Sequence, residues 1–246
     1  MLNLYKYQGV INIIRFNQKT YSIAAVMIIL TGSSIFGLPA SVISVVVTIF
    51  IVMILMTILP LFFTHIIYDR SSLYNTDQFD LKNESKVLNI HSGFDDISDK
   101  ILKAYPSLDL TIADFYDPAL HTEASIAKAR EIYPPHASTI KIKTKCIDFP
   151  DESFDKIILF QSAHEIRKQE ERIFFFKEIN RILKKRGEVI VVEHLRDFPN
   201  FIGFNIGFLH FHSLKTWMIT FSESRFQVSA SYKIKRFITH FKLKKI

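Results

Sequence analysis

Two histidine–carboxylate pairs punctuate the second half of the chain, His164-Glu165 and Glu193-His194, each placed directly after an apolar run. Imidazole titrates near neutral pH, and a neighbouring carboxylate can orient it or take over as base. His164, Glu165 and Glu193 are therefore the candidate catalytic groups, with His194 competing for the same role. Gln161 and Ser162 lead into the first pair. The competing reading for each is a polar loop that caps the following helix. A separate signal is Asp114, which lies 21 residues past Gly93. That is close to the spacing of about 20 at which an acidic side chain at a strand tip meets a ribose diol in nucleotide-binding α/β sheets. A carboxylate suits adjacent hydroxyls because it accepts from both. An ordinary strand-end aspartate capping the next turn is the alternative.

The elements that must position these groups are legible around them. Phe175, Ile179, Ile182 and Leu183 recur at helical spacing, while Lys177, Glu178, Asn180, Arg181 and Lys184 fill the opposite face. Gly187 is expected at the C-terminus of that helix, and Val189 to Val192 as a buried strand. With Asp155 to Phe160 as the strand before it, the unit reads strand, helix, parallel strand, which demands a right-handed crossover and a sheet covered on both faces. Upstream, strands are expected at Lys86 to Ile90, Asp109 to Ala113 and Thr139 to Lys145. Helices are expected up to about Tyr105 and from Thr122 to Tyr133. Downstream, Phe198 to Ser213 is irregular and rich in Phe, Gly and His, a helix runs from Trp217 to Arg225, and a hairpin spans Phe226 to Lys233 and Arg236 to Lys244.

The order FPDESFD, apolar strand, His164-Glu165, amphipathic helix, Gly187, strand, Glu193-His194 resembles the second half of a class I S-adenosylmethionine-dependent methyltransferase of the type 11 kind. The resemblance covers residues 80–246. It implies a Rossmann-like, doubly wound, mostly parallel α/β sheet with a closing antiparallel hairpin, and S-adenosylmethionine as cofactor. Where the family carries its glycine-rich loop, this chain has Asn89, His91, Gly93 and Asp95, keeping only the middle glycine. On the resemblance, Asn89, His91 and Gly93 line the cofactor's methionine end, Asp114 with Phe115 beside it meets the ribose, and Gln161 closes the sheet edge. The family's adenine-binding acidic residue has Asp148 as its nearest counterpart. A rival reading keeps the fold without catalysis, as a membrane scaffold or assembly protein.

The first third of the chain is of a different kind. No Lys, Arg, Asp or Glu occurs between Lys19 and Asp69. Two membrane spans are expected, Tyr21 to Leu38 and Ser41 to His65, joined by a tight Gly/Pro turn. The organisation is thus an interfacial segment at 1–20, a transmembrane hairpin at 21–68, a linker at 69–79 and the methyltransferase-like domain at 80–246. Lys6, Arg15, Lys19 and Arg70 flank an uncharged turn, so the positive-inside rule places the catalytic domain at the cytoplasmic face of a multi-pass membrane protein. The single Cys146 agrees with a reducing compartment. The net charge of +7, concentrated at the N-terminal flank and the last residues, fits an anionic lipid surface. No nucleic-acid motif accompanies it, and nucleic acid is not expected as a partner. His210 and His212 have no completing ligands in sequence, so no metal is expected. The expected substrate is hydrophobic, of quinone, lipid or polyprenyl type, because a tether concentrates the enzyme beside membrane-dissolved molecules.

Overall fold

A computed structural model describes residues 4–81 and 86–246. Part of the expected interfacial segment (1–3) and of the approach to the first strand (82–85) lies outside the described residues. The N-terminal part forms α1 (Gln8–Phe16), α2 (Gln18–Ser34) and α3 (Ala40–Thr64), and the last continues as a π-helical turn, His65–Asp69. Pro39 stands directly before α3, where its missing N–H costs nothing. Two stretches, Gln18–Gly37 and Ala40–Asp69, are long and apolar enough to cross a membrane, and their most apolar windows are not buried against the rest of the protein.

The remainder is a seven-stranded sheet in the order β3-β2-β1-β4-β5-β7-β6. Its strands are β1 (Lys86–His91), β2 (Asp109–Asp114), β3 (Ile140–Lys141), β4 (Phe154–Phe160), β5 (Leu183–His194), β6 (Phe226–Ile234) and β7 (Ile238–Lys245). The first five pair in parallel, and β7 runs antiparallel to both β5 and β6. Connecting helices are α4 (Ser98–Ala104), α5 (Ala124–Ile132), α6 (Gln169–Ile182), α7 (Phe198–Phe204) and α8 (Leu214–Glu223).

Strand alternation divides the core in two. Leu88, Ile90, Ile157, Leu159, Val189 and Val191 face α6 and α8, packing on Phe175, Phe176, Ile179, Trp217 and Phe221. Val87, Ile158, Phe160, Ile190 and Val192 face the other way, onto Ile97 and Ile101 of α4 and onto Ile67, Leu73, Phe79 and Leu81. The stretch expected as a linker is therefore docked: its apolar side chains complete the second layer of the core, holding the base of the helical hairpin against the sheet.

Three local expectations need correction. Gly187 does not end a helix; it lies inside β5, where a Cβ would come within 2.8 Å of the Asp155 carbonyl oxygen, so the requirement is close approach of two strands. The third strand is cut to Ile140–Lys141, because Ile142 leaves the edge to bury itself in the core. The irregular Phe198–Ser213 region folds as α7 followed by a 3-10 helix, Asn205–His210, with Phe198, Phe201, Ile202, Ile206 and Leu209 exposed.

Candidate active site

Chain direction across the sheet reverses at β1 and β4, so a crevice opens at their carboxyl ends. Ser92 follows β1, and Gln161 follows β4 with a positive φ of 48° that turns its side chain out of the strand path. A cavity of about 260 Å³ sits there, with Ser92, Phe94, Asp96, Gln161, His164 and Glu165 among its walls. Its roof comes from the N-terminal part: Gly9, Asn12, Ile13 and Phe16 of α1, with Thr64 and Tyr68 from the base of the hairpin. Helix α1 is fastened over it by Gly9 N–H donating to Asp69 Oδ1 (2.6 Å), by Tyr133 OH donating to Asn12 Oδ1 (2.8 Å), and by Phe16 packing edge-on to Phe94.

Several buried polar atoms at this edge lack a partner among the described residues: Ser92 Oγ, Gln161 Nε2, Asn89 Oδ1 and both ring nitrogens of His91. Unpaired buried polar groups are costly, and they concentrate where a ligand supplies the missing bonds. Ser92 and Gln161 face the cavity. Gln161 Oε1 accepts from Tyr68 OH at 2.8 Å, which leaves its amide nitrogen for a ligand.

Not every expected cofactor residue reaches this cavity. Asn89 is buried beneath it, donating to Ser98 Oγ (2.8 Å) and Asp95 Oδ1 (3.3 Å), where it ties β1 to the start of α4. His91 is buried beside Asp114, 3.8 Å from its Oδ1, and burial pushes its pKa down. Phe115 packs into the core on Phe175. Asp148 is exposed and lines neither this cavity nor the one beside β3. Gly93 has φ +85°, a conformation that favours glycine, and a Cβ there would meet Tyr116 and Ile126 at 2.9 Å.

Asp114 is buried at the tip of β2 and fully engaged. Its Oδ1 accepts from the backbone N–H groups of Gly93 (3.0 Å) and Tyr116 (2.8 Å), and its Oδ2 takes a 2.6 Å ion pair from Arg130 Nη1 on α5. Sequence reasoning missed Arg130, which reads as one more charge on a solvated helix face. Its side chain is 28% exposed, so the guanidinium has an open path outward.

The catalytic candidates do converge. His164 Nδ1 lies 2.6 Å from Glu193 Oε2, and the His164 backbone N–H donates to Glu193 Oε1 at 3.2 Å. On the other side of the ring, His164 Nε2 lies 3.1 Å from Glu165 Oε1. Burial opposes a charged His164, but the Glu193 and Glu165 carboxylates outweigh it and its pKa is pushed up to about 10. For Glu165 burial works upward, yet hydrogen bonds from His164 and His210 hold its pKa well below the usual carboxylate range. The imidazole expected to act as a free base near neutral pH is instead clamped between two carboxylates, both of which favour its charged form. Glu193 is buried away from the cavity, so it orients His164 rather than meeting a ligand. His194 points elsewhere, to Tyr68 OH (2.9 Å) and Asn200 Oδ1 (2.8 Å), and burial lowers its pKa to about 4. His210 joins the cluster edge-on to the His164 ring, 3.1 Å from Glu165 Oε1 through Nε2.

This strand order, with its reversed seventh strand, is the fold of the class I S-adenosylmethionine-dependent methyltransferases. Residues 100–191 match the family model described as a methyltransferase domain. Among solved structures, mitomycin 7-O-methyltransferase MmcR is similar at 15% identity and TM-score 0.52, covering 71% of this chain and 54% of its own. The PH0226 protein from Pyrococcus horikoshii OT3 gives 17% identity and TM-score 0.50, covering 69% and 87%. PigF, solved with SAH, gives 17% identity and TM-score 0.49, covering 69% and 59%. The chain thus spans little more than half the length of PigF and MmcR. No curated protein sequence matches the chain.

Proposed function

We propose that the protein is a membrane-anchored S-adenosylmethionine-dependent methyltransferase acting on a hydrophobic, membrane-associated small molecule. The observation that carries the reading is the cavity at the carboxyl ends of β1 and β4, with unpaired Ser92 Oγ and Gln161 Nε2 in its wall and the base of the membrane hairpin as its roof. Those donors fit the charged methionine end of the cofactor. Asp114, which stands behind the cavity wall rather than in it, supplies the acceptor for a ribose diol once Arg130 swings outward. The bound cofactor supplies an electrophilic methyl group on a sulfonium centre. Transfer then needs mostly alignment, which Phe94, Phe160 and Phe16 provide as apolar walls that exclude water. A proton released by the acceptor passes to Asp96, which lines the same cavity and whose pKa burial raises to about 6.

Anchoring follows from length. A continuous 30-residue stretch, Ala40–Asp69, rises about 45 Å, against about 30 Å of hydrocarbon. Its last turns therefore stand at the membrane surface, with the cavity at their foot. Asn205 Nδ2 donates to the Met56 carbonyl oxygen (2.8 Å), so the exposed apolar side chains of α7 and the 3-10 turn after it lie beside α3 at headgroup depth. Both ends of the hairpin are on the catalytic side, and the basic flanks assign that side to the cytoplasm.

The Arg130–Asp114 pair favours a second reading, a scaffold in which the cofactor position has been given over to an internal ion pair. Calorimetric titration of the full-length protein in detergent with S-adenosylhomocysteine separates the two. Saturable binding that Asp114→Ala weakens supports the enzyme; no binding at millimolar ligand leaves the scaffold. Transfer of labelled methyl groups into a membrane lipid extract then tests the acceptor class.

A further inference from the structure

We propose that His164, Glu165 and His210 form a divalent transition-metal site in the wall of this cavity. The geometry is that of a three-ligand open site. His164 Nε2 and His210 Nε2 each lie 3.1 Å from Glu165 Oε1, and the three ligand atoms all fall within 4.8 Å of one another. In a tetrahedral site bonds near 2.1 Å place neighbouring ligand atoms about 3.4 Å apart, so each 3.1 Å edge opens by only a few tenths of an ångström to admit one shared cation. The set of two imidazoles and one carboxylate suits zinc and related first-row cations, and three protein ligands leave a position open for water or substrate.

The outer contacts point the same way. Metal-binding imidazoles characteristically hold a carboxylate on their second nitrogen, which fixes ring orientation and raises basicity. Here both rings do so. His164 Nδ1 lies 2.6 Å from Glu193 Oε2, and His210 Nδ1 lies 2.5 Å from Glu123 Oε1. Each Nε2 is thereby aimed at Glu165, with the two ring centroids 5.2 Å apart. A polar cluster serving only to hold a loop has no need for a second carboxylate on both rings. The site also attracts positive charge: Arg167 Nη2 approaches the His210 ring, Glu123 Oε1 (3.2 Å) and Glu165 Oε2 (3.8 Å) from the rim. Its side chain is 40% exposed, so it is a displaceable cation rather than a buried fixture.

All three ligands and Glu123 line the cavity assigned above to cofactor and acceptor. For its purpose, though not for its geometry, the inference rests on the methyltransferase reading. A cation in this wall takes an oxygen ligand at its open position and lowers the pKa of that group. The acceptor class becomes a hydroxyl, phenol or enol oxygen on an apolar molecule. The expectation drawn from His210 and His212 alone, that no metal is held, missed the partners because Glu165 and Glu123 lie far from His210 in sequence.

The test uses full-length protein in detergent, stripped with chelator and titrated with Zn²⁺ against a chromophoric chelator, with Co²⁺ absorption as a second readout. Wild type should take up one tight equivalent and give the intense visible bands of a low-coordinate cobalt site. His210→Ala and Glu165→Gln should abolish the tight equivalent, Glu193→Gln should weaken it about 10- to 100-fold, and Arg167→Gln should strengthen it. Absence of a tight equivalent, or one that survives His210→Ala, overturns the proposal. His136→Ala controls for surface histidines, and far-UV dichroism confirms folding; Glu123→Gln, at a half-exposed position, gives a weakened site even where a cavity variant misfolds. S-adenosylhomocysteine titration of the same samples keeps the outcomes apart. Ligand binding without zinc binding sinks the metal site alone, and the reverse sinks the transferase reading alone.

Discussion

Arg130 Nη1 lies 2.6 Å from Asp114 Oδ2 and 3.3 Å from the Gly93 carbonyl oxygen, so one guanidinium from α5 bridges the tip of β2 and the loop after β1. The carboxylate remains buried and aimed at the sheet edge, held there by two backbone N–H groups. Arg130 also lies over the Tyr116 ring, 5.1 Å from its centroid. The pair thus has two parts, a fixed acceptor and a partly exposed cation that the proposed cofactor has to displace.

The first prediction concerns that pair. Arg130→Ala should tighten S-adenosylhomocysteine several-fold, because the binding-competent arrangement no longer has to be reached by breaking an ion pair. Asp114→Ala should weaken it by at least tenfold, consistent with the roughly 1.5–3 kcal/mol of hydrogen bonds to a charged acceptor. Isothermal titration on both variants checks this; affinity lost in Arg130→Ala would mean that the guanidinium helps to bind the ligand.

Gly93 provides a second, purely structural expectation. Its φ of +85° and the 2.9 Å approach of Tyr116 and Ile126 to a built Cβ combine backbone strain with overpacking. Gly93→Ala should cost about 1–3 kcal/mol of stability. Chemical denaturation in detergent reads it, and an unchanged midpoint would show that the loop relaxes freely.

Acid should loosen the domain. Burial lowers the pKa of His194 to about 4, against a hydrogen bond to Asn200, and burial likewise lowers that of His240 to about 4, aided by the Lys242 charge. Both lie below the ordinary value near 6.5, so the unfolded chain binds protons that the folded one refuses. The stability they contribute is complete above pH 6.5 and is lost as pH falls toward 4, with a limiting slope of about 3 kcal/mol per pH unit for two groups. Asp96 opposes them: burial raises its pKa to about 6 despite the Tyr74 hydroxyl that donates to it, so its protonation favours the fold as pH drops through that value. Denaturation midpoints at pH 7, 6 and 5 should decline, and His240→Phe should flatten the decline. A midpoint independent of pH would show that the two imidazoles are solvated.

Much of this architecture is written in local pattern. The stripe of Phe175, Ile179 and Ile182 names α6, and the continuous apolar run Val189 to Val192 names a strand covered on both faces. The helical hairpin is equally plain, since no charge interrupts it. What escaped pattern reading is what only three-dimensional proximity creates. Arg130 looks like a solvated charge until α5 turns it onto Asp114. His210 looks isolated until the 3-10 turn after α7 brings it to Glu165. Gly187 resembled a helix cap because sequence shows the end of a stripe but not how closely the Asp155 backbone passes. Residues 69–79 looked polar on average, yet Leu73 and Phe79 are apolar at the positions that meet the sheet.

The last prediction separates anchoring from docking. Val45 and Ile49 are exposed on α3 within the proposed hydrocarbon depth. Each lysine placed there opposes insertion by about 2.5–3.5 kcal/mol, so Val45→Lys with Ile49→Lys should release the protein from membranes into the alkaline carbonate supernatant. Phe201 and Ile206, exposed beside the lower part of α3, bear on a different step. They lie at the surface, so Phe201→Ser with Ile206→Ser should leave the protein in the carbonate pellet while reducing methyl transfer to a bilayer-dissolved acceptor more than to the same acceptor in detergent. Should the lysine pair leave the protein membrane-bound, the hairpin does not span and α3 serves only as a prop for the cavity roof. Equal losses in bilayer and detergent would place Phe201 and Ile206 in folding rather than in substrate access. The first variant thus tests the upper turns of α3 as a membrane span, and the second tests the apolar face of α7 and its 3-10 turn beside the lower turns of the same helix.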